Sequence, residues 1–322
     1  MQICLTSYDD SAVPDWVQAR LAEHDCDLKI HQCTASDDVA SIAAESDVAW
    51  VFGGGNEITH DVLPGLTNCR FILRTGTGTD NVPVNAASQR GIIVANTPEA
   101  STDTVAEHTI SLLLAVLRRI SELDRETRAG RWQLNRTKYP LLTLTGKTLG
   151  LVGFGRIARS VMKKASGFDV QVLAHDPWVD DDDMRNAGAN PVSLHQLFGD
   201  ADCISLHCPL LESTHHLVGE QELSLAQPTS VLVNTARGKL IDETALIAAL
   251  DAGKIAGAGL DVMETQPPRP DNPLLHMDNV VINPHSAGYD EGLRERFWSD
   301  SVRTLIAIKE TGQPIWVVKP TP

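Results

Sequence analysis

The sequence predicts an α/β protein of two doubly wound parallel sheets, and three observations carry that expectation. Short β-branched or aromatic runs alternate with helix-like segments from the first residues onward. One longer segment with an apolar face interrupts the alternation, which afterwards resumes. Where it resumes stands Gly153-Phe154-Gly155-Arg156-Ile157-Ala158, a glycine turn between an apolar run and a helix-like segment. Strands alternating with short helices give right-handed βαβ units and parallel sheets covered on both faces. At 322 residues the chain has room for about two such domains.

In the first half Ile3–Thr6, Leu28–Ile30, Val48–Phe52, Phe71–Leu73 and Ile92–Ala95 read as strands. Asp15–Glu23, Asp37–Glu45, Thr59–Leu66 and Pro83–Gln89 read as the helices between them. Asn96-Thr97-Pro98-Glu99 marks a boundary. Beyond it Val105, Leu112, Val116 and Ile120 share one face at helical spacing, so Ala100 to Leu123 reads as one long helix. The second half begins with the strand that ends at the glycine turn. Val170–Ala174, Cys203–Leu206, Val231–Val233, Gly257–Leu260 and Val280–Ile282 follow as strands. Asp242 suits the N-cap of a helix through Leu250, with Gly253 as its stop. The closing helix, Leu293 to Lys309, has no strand partner left in the second domain and is expected to return to the first. Residues 1–98 with 289–322 then form a discontinuous domain, and 99–288 the other. Two crossovers bound a cleft, which is where such α/β pairs hold ligands.

Composition narrows the class. The net charge of −15 leaves no broad basic face for a phosphate backbone, so no nucleic-acid partner is expected. Cys4, Cys26, Cys33, Cys69, Cys203 and Cys208 form no CxxC pair and have no zinc-ligand spacing; they read as thiols of a reducing, cytoplasmic compartment. No basic, apolar leader opens the chain. The most apolar stretch, Ile110 to Leu117, is far short of the ~20 residues that cross a bilayer, so no membrane association is expected either.

The glycine turn supplies the chemistry of a dinucleotide site. Gly153 permits the tight turn, Gly155 lets backbone approach a pyrophosphate, and Ala158 allows close helix–strand packing. The helix that follows offers its N-terminal amides to the anion. Asp176 stands 21 positions after Gly155, at the end of the next apolar run, where a carboxylate accepts hydrogen bonds from ribose hydroxyls. It also repels a 2′-phosphate, so NAD is the expected cofactor. Both domains are thus expected to be flavodoxin- or Rossmann-like.

Three later strands each end in polar groups: Asn234-Thr235-Ala236-Arg237-Gly238, Asp261 to Pro267, and Asn283-Pro284-His285-Ser286-Ala287-Gly288. Taken singly these read as a surface arginine, a solvated acidic turn and a loop histidine. Converging on one sheet edge beside a dinucleotide, they read as a site. A guanidinium fork can clamp a carboxylate and stabilise negative charge on a carbonyl oxygen. An imidazole with a pKa near ~6.5 can protonate that oxygen. His207 is the one rival for that task; His108 reads as a structural hydrogen-bonder, and His215 and His216 as solvated. No His/Asp/Glu cluster has ligand spacing, so no metal is expected.

With these residues in view the chain resembles the D-isomer-specific 2-hydroxyacid dehydrogenases, the family of phosphoglycerate dehydrogenase, glyoxylate/hydroxypyruvate reductase and the C-terminal-binding corepressors. Five segments carry the resemblance in order: Arg74-Thr75-Gly76-Thr77-Gly78-Thr79-Asp80-Asn81-Val82, Thr104-Val105-Ala106-Glu107-His108, Gly153–Ala158, Asn234–Gly238 and Pro284-His285. The resemblance implies interconversion of a 2-keto acid and a D-2-hydroxy acid. It makes Arg237 the group that binds substrate carboxylate and carbonyl, and His285 the acid/base. Thr77 and Gly78 match the loop whose amides hold the carboxylate, and Arg74 an arginine of the phosphoglycerate dehydrogenase branch. On the cofactor side it implies Arg156 and Ile157 at the pyrophosphate, Asp176 at the ribose, and Thr235, Ala236, Asp261 and Gly288 near the nicotinamide. The loop Gly53-Gly54-Gly55-Asn56 is expected to shape the substrate pocket. Trp132, Tyr139, Leu141, Leu142 and Leu144 form an apolar loop that suits either packing within the monomer or, by the family's habit, a homodimer contact.

One position departs from the family. The residue before Pro267 is usually a glutamate paired with the catalytic histidine; here it is Gln266. An amide can orient the ring but supplies no charge. Glu264, two positions earlier, is the other carboxylate that could serve. The same Gln–Pro pairing resembles the NAD-dependent formate dehydrogenases, whose chemistry needs no proton transfer, although Ser101 stands where those enzymes have asparagine. A weakly active, corepressor-like NAD(H) sensor is the reading from a different class.

Overall fold

The computed structural model describes residues 1–6, 12–33, 36–52, 58–132 and 140–320. The Gly53–Asn56 loop and Tyr139, to which the sequence points, lie outside the described residues. Two compact units result, Met1–Ser101 with Asp290–Pro322, and Thr102–Tyr289. The boundaries drawn from sequence lay at 98/99 and 288/289.

The first unit holds a five-stranded sheet: β1 (Gln2–Leu5), β2 (Asp27–Ile30), β3 (Val48–Phe52), β4 (Phe71–Thr75) and β5 (Ile93–Asn96). Its order is β2-β1-β3-β4-β5 with every pair parallel, the flavodoxin-like arrangement. Helices α1 (Asp15–Ala22), α2 (Ser36–Ile42) and α3 (Val84–Gln89) make the crossovers. The expected helix over Thr59–Leu66 is only a single 3-10 turn, Leu63–Gly65. Pro64 has no amide to continue a helical ladder, and Gly65 follows it.

The second unit opens on α4 (Thr102–Leu117) and α5 (Ile120–Arg128). These replace the single long helix expected from Ala100 to Leu123. Arg119 breaks it with a left-handed backbone, φ 55°. Its buried guanidinium meets the buried Glu122 carboxylate at 2.7 Å. Neither glycine nor proline marks that break.

The strands of this unit are β6 (Thr148–Val152), β7 (Gln171–His175), β8 (Asn190–Pro191), β9 (Cys203–Leu206), β10 (Val231–Asn234), β11 (Gly257–Leu260) and β12 (Val280–Ile282). They pair in the order β12-β11-β10-β9-β6-β7-β8, all parallel. Counted from β6 this is the 3-2-1-4-5-6 Rossmann order extended by one strand. The order reverses between β6 and β9, and a ligand crevice lies at the carboxyl ends of strands at such a point. The crossovers carry α6 (Arg156–Ala165), α7 (Asp181–Ala187), α8 (Leu194–Asp200), α9 (Glu220–Leu225) and α10 (Glu243–Asp251). Asp242 caps α10 as its position suggests, its side chain accepting from the Thr244 and Ala245 amides.

The last helix, α11 (Leu293–Thr311), belongs to the first unit. Its Trp298, Val302, Leu305 and Ile308 share a core with Ile3, Leu5, Val48 and Trp50. The Trp298 ring stacks 4.1 Å from Phe52 and meets Trp50 edge-on. Of the apolar loop before β6, Leu144 is buried and Leu142 packs on the core of its own unit, whereas Trp132 and Leu141 are exposed. Among the described residues no helix is long and apolar enough to cross a membrane.

Candidate active site

The glycine turn closes β6 and opens α6. Gly153 sits at φ 88°, and a Cβ there would come within 2.6 Å of the Cys208 amide nitrogen across the switch point. Only glycine fits. A Cβ on Gly155 would meet no heavy atom within 4 Å, so the backbone faces open space. Among the described residues the amides of Gly155, Arg156 and Ile157 donate to no acceptor. Unsatisfied amides at a helix N-terminus attract an anion, and Ala158 is fully buried against the sheet as that geometry requires. The residues present fit a dinucleotide pyrophosphate.

Asp176 follows β7. Its Oδ2 accepts from the Phe154 amide at 2.8 Å and its Oδ1 from the Trp178 amide at 2.9 Å. The carboxylate is thereby tied to the glycine turn. Asp180 to Asp183 follow closely, and Arg185 pairs with two of them, Asp181 and Asp182.

At the end of β10 the buried Asn234 shapes the Arg237 turn. Its Nδ2 donates to the Arg237 carbonyl at 2.8 Å, and its Oδ1 accepts from the Ala236 amide at 3.0 Å. Thr235 Oγ1 lies 2.9 Å from Thr109 Oγ1 on α4. Arg237 Nη1 donates to the Ala236 carbonyl at 2.7 Å. Asn234 was quoted in the sequence motif without a role. The signal was there: an asparagine at a strand end bonds backbone two residues on.

The loops after neighbouring β11 and β12 carry Gln266 and His285, the pair in which the family resemblance places the acid–base group. His285 has φ 54°, a left-handed backbone that costs a non-glycine residue roughly 1–3 kcal/mol. Asp261 over-determines it. The Asp261 carbonyl accepts from the His285 amide at 2.7 Å; its carboxylate accepts from the Ser286 amide at 2.8 Å and the Ala287 amide at 2.9 Å. Asp261, expected beside the nicotinamide, thus has both carboxylate oxygens on the His285 loop, which ends at Gly288. Gln266 Nε2 donates to the Met263 carbonyl at 3.1 Å, which turns Oε1 toward His285 Nδ1 at 2.9 Å. A carbonyl can only accept, so that bond fixes the amide orientation. His285 Nδ1 then donates to Gln266.

Other histidines differ from their sequence readings. Glu264 does not reach for His285. Its Oε1 accepts from His216 Nε2 at 3.0 Å and its Oε2 from the Glu243 amide at 3.4 Å. His216 is therefore engaged rather than solvated. Burial pushes the His207 ring down to about 3, so it is neutral near pH 7, which weighs against the sequence reading of it as the rival to His285. His108 Nε2 lies 3.5 Å from the buried Asp261 Oδ1 and has no hydrogen-bond partner among the described residues. Among the described residues no group of three or more His, Cys, Asp or Glu could hold a metal ion.

In the first unit, taken by itself, the loop after β4 is held by its own contacts. Gly76, at φ 111°, donates to Thr97 Oγ1 at 2.7 Å, and Asn96 Nδ2 donates to the Thr77 carbonyl at 2.8 Å. Thr77 Oγ1 lies 3.2 Å from Ser101 Oγ. Among the described residues the Thr77 and Gly78 amides donate to no acceptor, as a carboxylate-holding loop requires. The Arg74 guanidinium folds over Gly76, where a Cβ would clash with Nη1 at 2.1 Å.

Residues 110–287 match the family model described as D-isomer specific 2-hydroxyacid dehydrogenase, NAD binding domain. A glyoxylate reductase of Korarchaeum cryptofilum is 41% identical over 256 residues, 78% of this chain and 76% of that one. A D-3-phosphoglycerate dehydrogenase of Archaeoglobus fulgidus is 41% identical over 72% of this chain, a match spanning only 44% of that longer protein. A solved D-lactate dehydrogenase from Aquifex aeolicus, complexed with NAD and lactic acid, superposes with a TM-score of 0.82 at 29% identity, covering 99% of this chain and all of that one. Fold and sequence thus agree on an NAD(P)-dependent oxidoreductase acting on 2-keto and D-2-hydroxy acids. The chain belongs to the D-isomer specific 2-hydroxyacid dehydrogenase family.

Proposed function

We propose that the chain reduces a small 2-keto acid to its D-2-hydroxy acid with NADH, and runs the reverse with NAD, using Arg237 and His285. The observation that carries the reading is the Met263–Gln266–His285 chain of hydrogen bonds, which presets one tautomer of an imidazole whose strand is separated from the Arg237 strand by β11 alone. When bound, the nicotinamide supplies or receives the hydride. Arg237 clamps the carboxylate and stabilises charge developing on the carbonyl oxygen. His285 Nε2 gives that oxygen its proton, or takes it back in oxidation. The Thr77 and Gly78 amides hold the substrate carboxylate from the first unit's own loop, with Arg74 beside them.

Glyoxylate and hydroxypyruvate head the substrate panel, since relatives carry those names; 3-phosphohydroxypyruvate joins it because of Arg74. NADH oxidation with one of them is the expected result. Gln266 favours a second reading, formate oxidation without proton transfer, and formate with NAD is the arm that would replace the first. Tight NADH binding with no turnover on any of these would favour the sensor reading.

NAD over NADP is part of the proposal. The support is Asp176 on the glycine turn, backed by the carboxylates at 180–183. NADPH is expected to give a kcat/KM at least about tenfold below NADH, the effect of roughly 1.4 kcal/mol of charge repulsion. Asp176→Asn, which keeps an acceptor oxygen for the turn, is expected to narrow that ratio. Equal use of both cofactors by the unmodified protein would refute this role.

A cytoplasmic homodimer completes the proposal. None of the six cysteines forms a disulfide among the described residues, and burial pushes Cys4, Cys203 and Cys208 up to about 12. Thiols that stay protonated suit a reducing compartment. Exposed Trp132 and Leu141 are the residues on which a contact between two copies would rest.

Gln266 has its own expected signature. Gln266→Glu puts a charge beside His285, which favours the imidazolium and should move the pH profile up by about one unit, or about 1.4 kcal/mol. Reduction needs the protonated ring, so its rate is lost as pH rises. That loss comes at lower pH in the unmodified protein than in the variant. Oxidation needs the neutral ring and should extend to lower pH in the unmodified protein. Plots of kcat/KM against pH in both directions test this; superimposed profiles would detach Gln266 from His285.

A further inference from the structure

We infer that His216 is a positioning residue, one that fixes the loop bearing Arg237 against the loop bearing Gln266; the inference rests on the roles just proposed for those two residues. Its backbone and side chain reach one loop each. The His216 amide donates to the Lys239 carbonyl at 2.8 Å, two residues beyond Arg237. His216 Nε2 donates to Glu264 Oε1 at 3.0 Å, two residues before Gln266. To do both, His216 adopts φ 52°, the left-handed region that a non-glycine residue enters only when its surroundings hold it there.

The two loops also touch directly. A Cβ on Gly238 would fall 1.9 Å from the Met263 carbonyl oxygen and 2.5 Å from the Glu264 amide nitrogen. Arg237's neighbour is therefore pressed on the peptide whose carbonyl orients Gln266. Glu264 is anchored from its other side, since its Oε2 accepts from the Glu243 amide and its own amide donates to Glu243 Oε1. Asn272 Nδ2 in turn donates to Glu243 Oε2 at 2.9 Å. His215 stacks on the His216 ring at 4.0 Å. The charged groups around His216 are thus Glu264 and, behind it, Glu243, with His215 alongside and Lys239 following Gly238. Both His216 and Glu264 are about a third exposed, so their pairing adds little to global stability. What it can set is the register of the two loops, and a small misplacement there is felt in turnover.

A double-mutant cycle tests this. His216→Asn keeps a residue that tolerates the left-handed backbone but is too short to reach Glu264. It is expected to lower kcat about tenfold, with NADH affinity and Tm unchanged. His216→Gln, whose amide can still donate to Glu264, is expected to restore most of that loss. In a Gln266→Ala background His216→Asn should cost clearly less than it does alone, because one of the two groups whose placement it sets is already gone. Glu264→Ala breaks the same contact from the other side and should behave alike. Losses that multiply in the double variant, or a fall in NADH affinity or Tm that tracks kcat, would overturn the positioning role. That outcome would leave the main reading standing if Arg237→Ala and His285→Asn are still inactive.

Discussion

Arg237→Ala is expected to lower kcat by about 10²-fold or more while NADH affinity stays nearly intact. A guanidinium removed from a developing oxyanion takes away stabilisation that matters most in the transition state. The same fork clamps the substrate carboxylate, so KM for the keto acid should rise as well. The backbone of the turn should survive the change. Asn234 still holds it through the Arg237 carbonyl and the Ala236 amide when the Arg237 Nη1 bond to the Ala236 carbonyl is lost. Steady-state kinetics with the best keto acid, alongside fluorescence titration of NADH, separate these effects. A kcat within about threefold of the unmodified protein would remove Arg237 from the site.

His285→Asn should cost between about 10²- and 10⁴-fold in kcat in both directions, the range for a lost general acid/base. Asparagine is the apt replacement because it tolerates a left-handed backbone, and His285 sits at φ 54°. The loop itself hangs on Asp261 through the amides of 285, 286 and 287, none of which involves the imidazole. NADH affinity should therefore be kept. The residual rate should also lose its dependence on pH around neutrality, since the titrating ring has gone. A variant that retains the pH profile would assign the proton to another group. Should formate oxidation survive at full rate while keto-acid reduction is lost, the ring serves proton transfer alone.

Most of the sheet architecture was legible because buried parallel strands are short β-branched runs with sharp ends. Val48–Phe52, Cys203–Leu206 and Val280–Ile282 begin and end where their residue types predict, and Gly257–Leu260 has the expected bounds without a β-branched residue. The glycine turn was legible for a different reason: its Gly153 answers a steric demand, since a Cβ there would meet the Cys208 backbone. Failures came where local pattern was not the deciding force. The break at Arg119 rests on a buried ion pair with Glu122, invisible to hydrophobic periodicity. Thr59–Leu66 has helical spacing, but Pro64 and Gly65 limit it to one 3-10 turn. In the candidate site the residue types at the strand ends were readable and their couplings were not. His216 and Glu264 are 48 positions apart, and no spacing rule joins them. Asp261 stood out as an acid near the cofactor, whereas its bonds run to a loop 25 positions later.

The placement of α11 has a consequence for how the chain comes off the ribosome. Residues 102–289 form one uninterrupted unit and can close their sheet as soon as they emerge. The first sheet is made earlier yet must wait, because Trp298, Val302, Leu305 and Ile308 are needed to cover Ile3, Val48 and Trp50. Until then the indole of Trp50 and the ring of Phe52 lack the aromatic partner that later packs on them. The usual order, in which the amino-terminal domain matures first, is therefore expected to be inverted here. A nascent chain halted before Leu293 should present that apolar sheet face to chaperones and proteases while its second unit is already resistant to both.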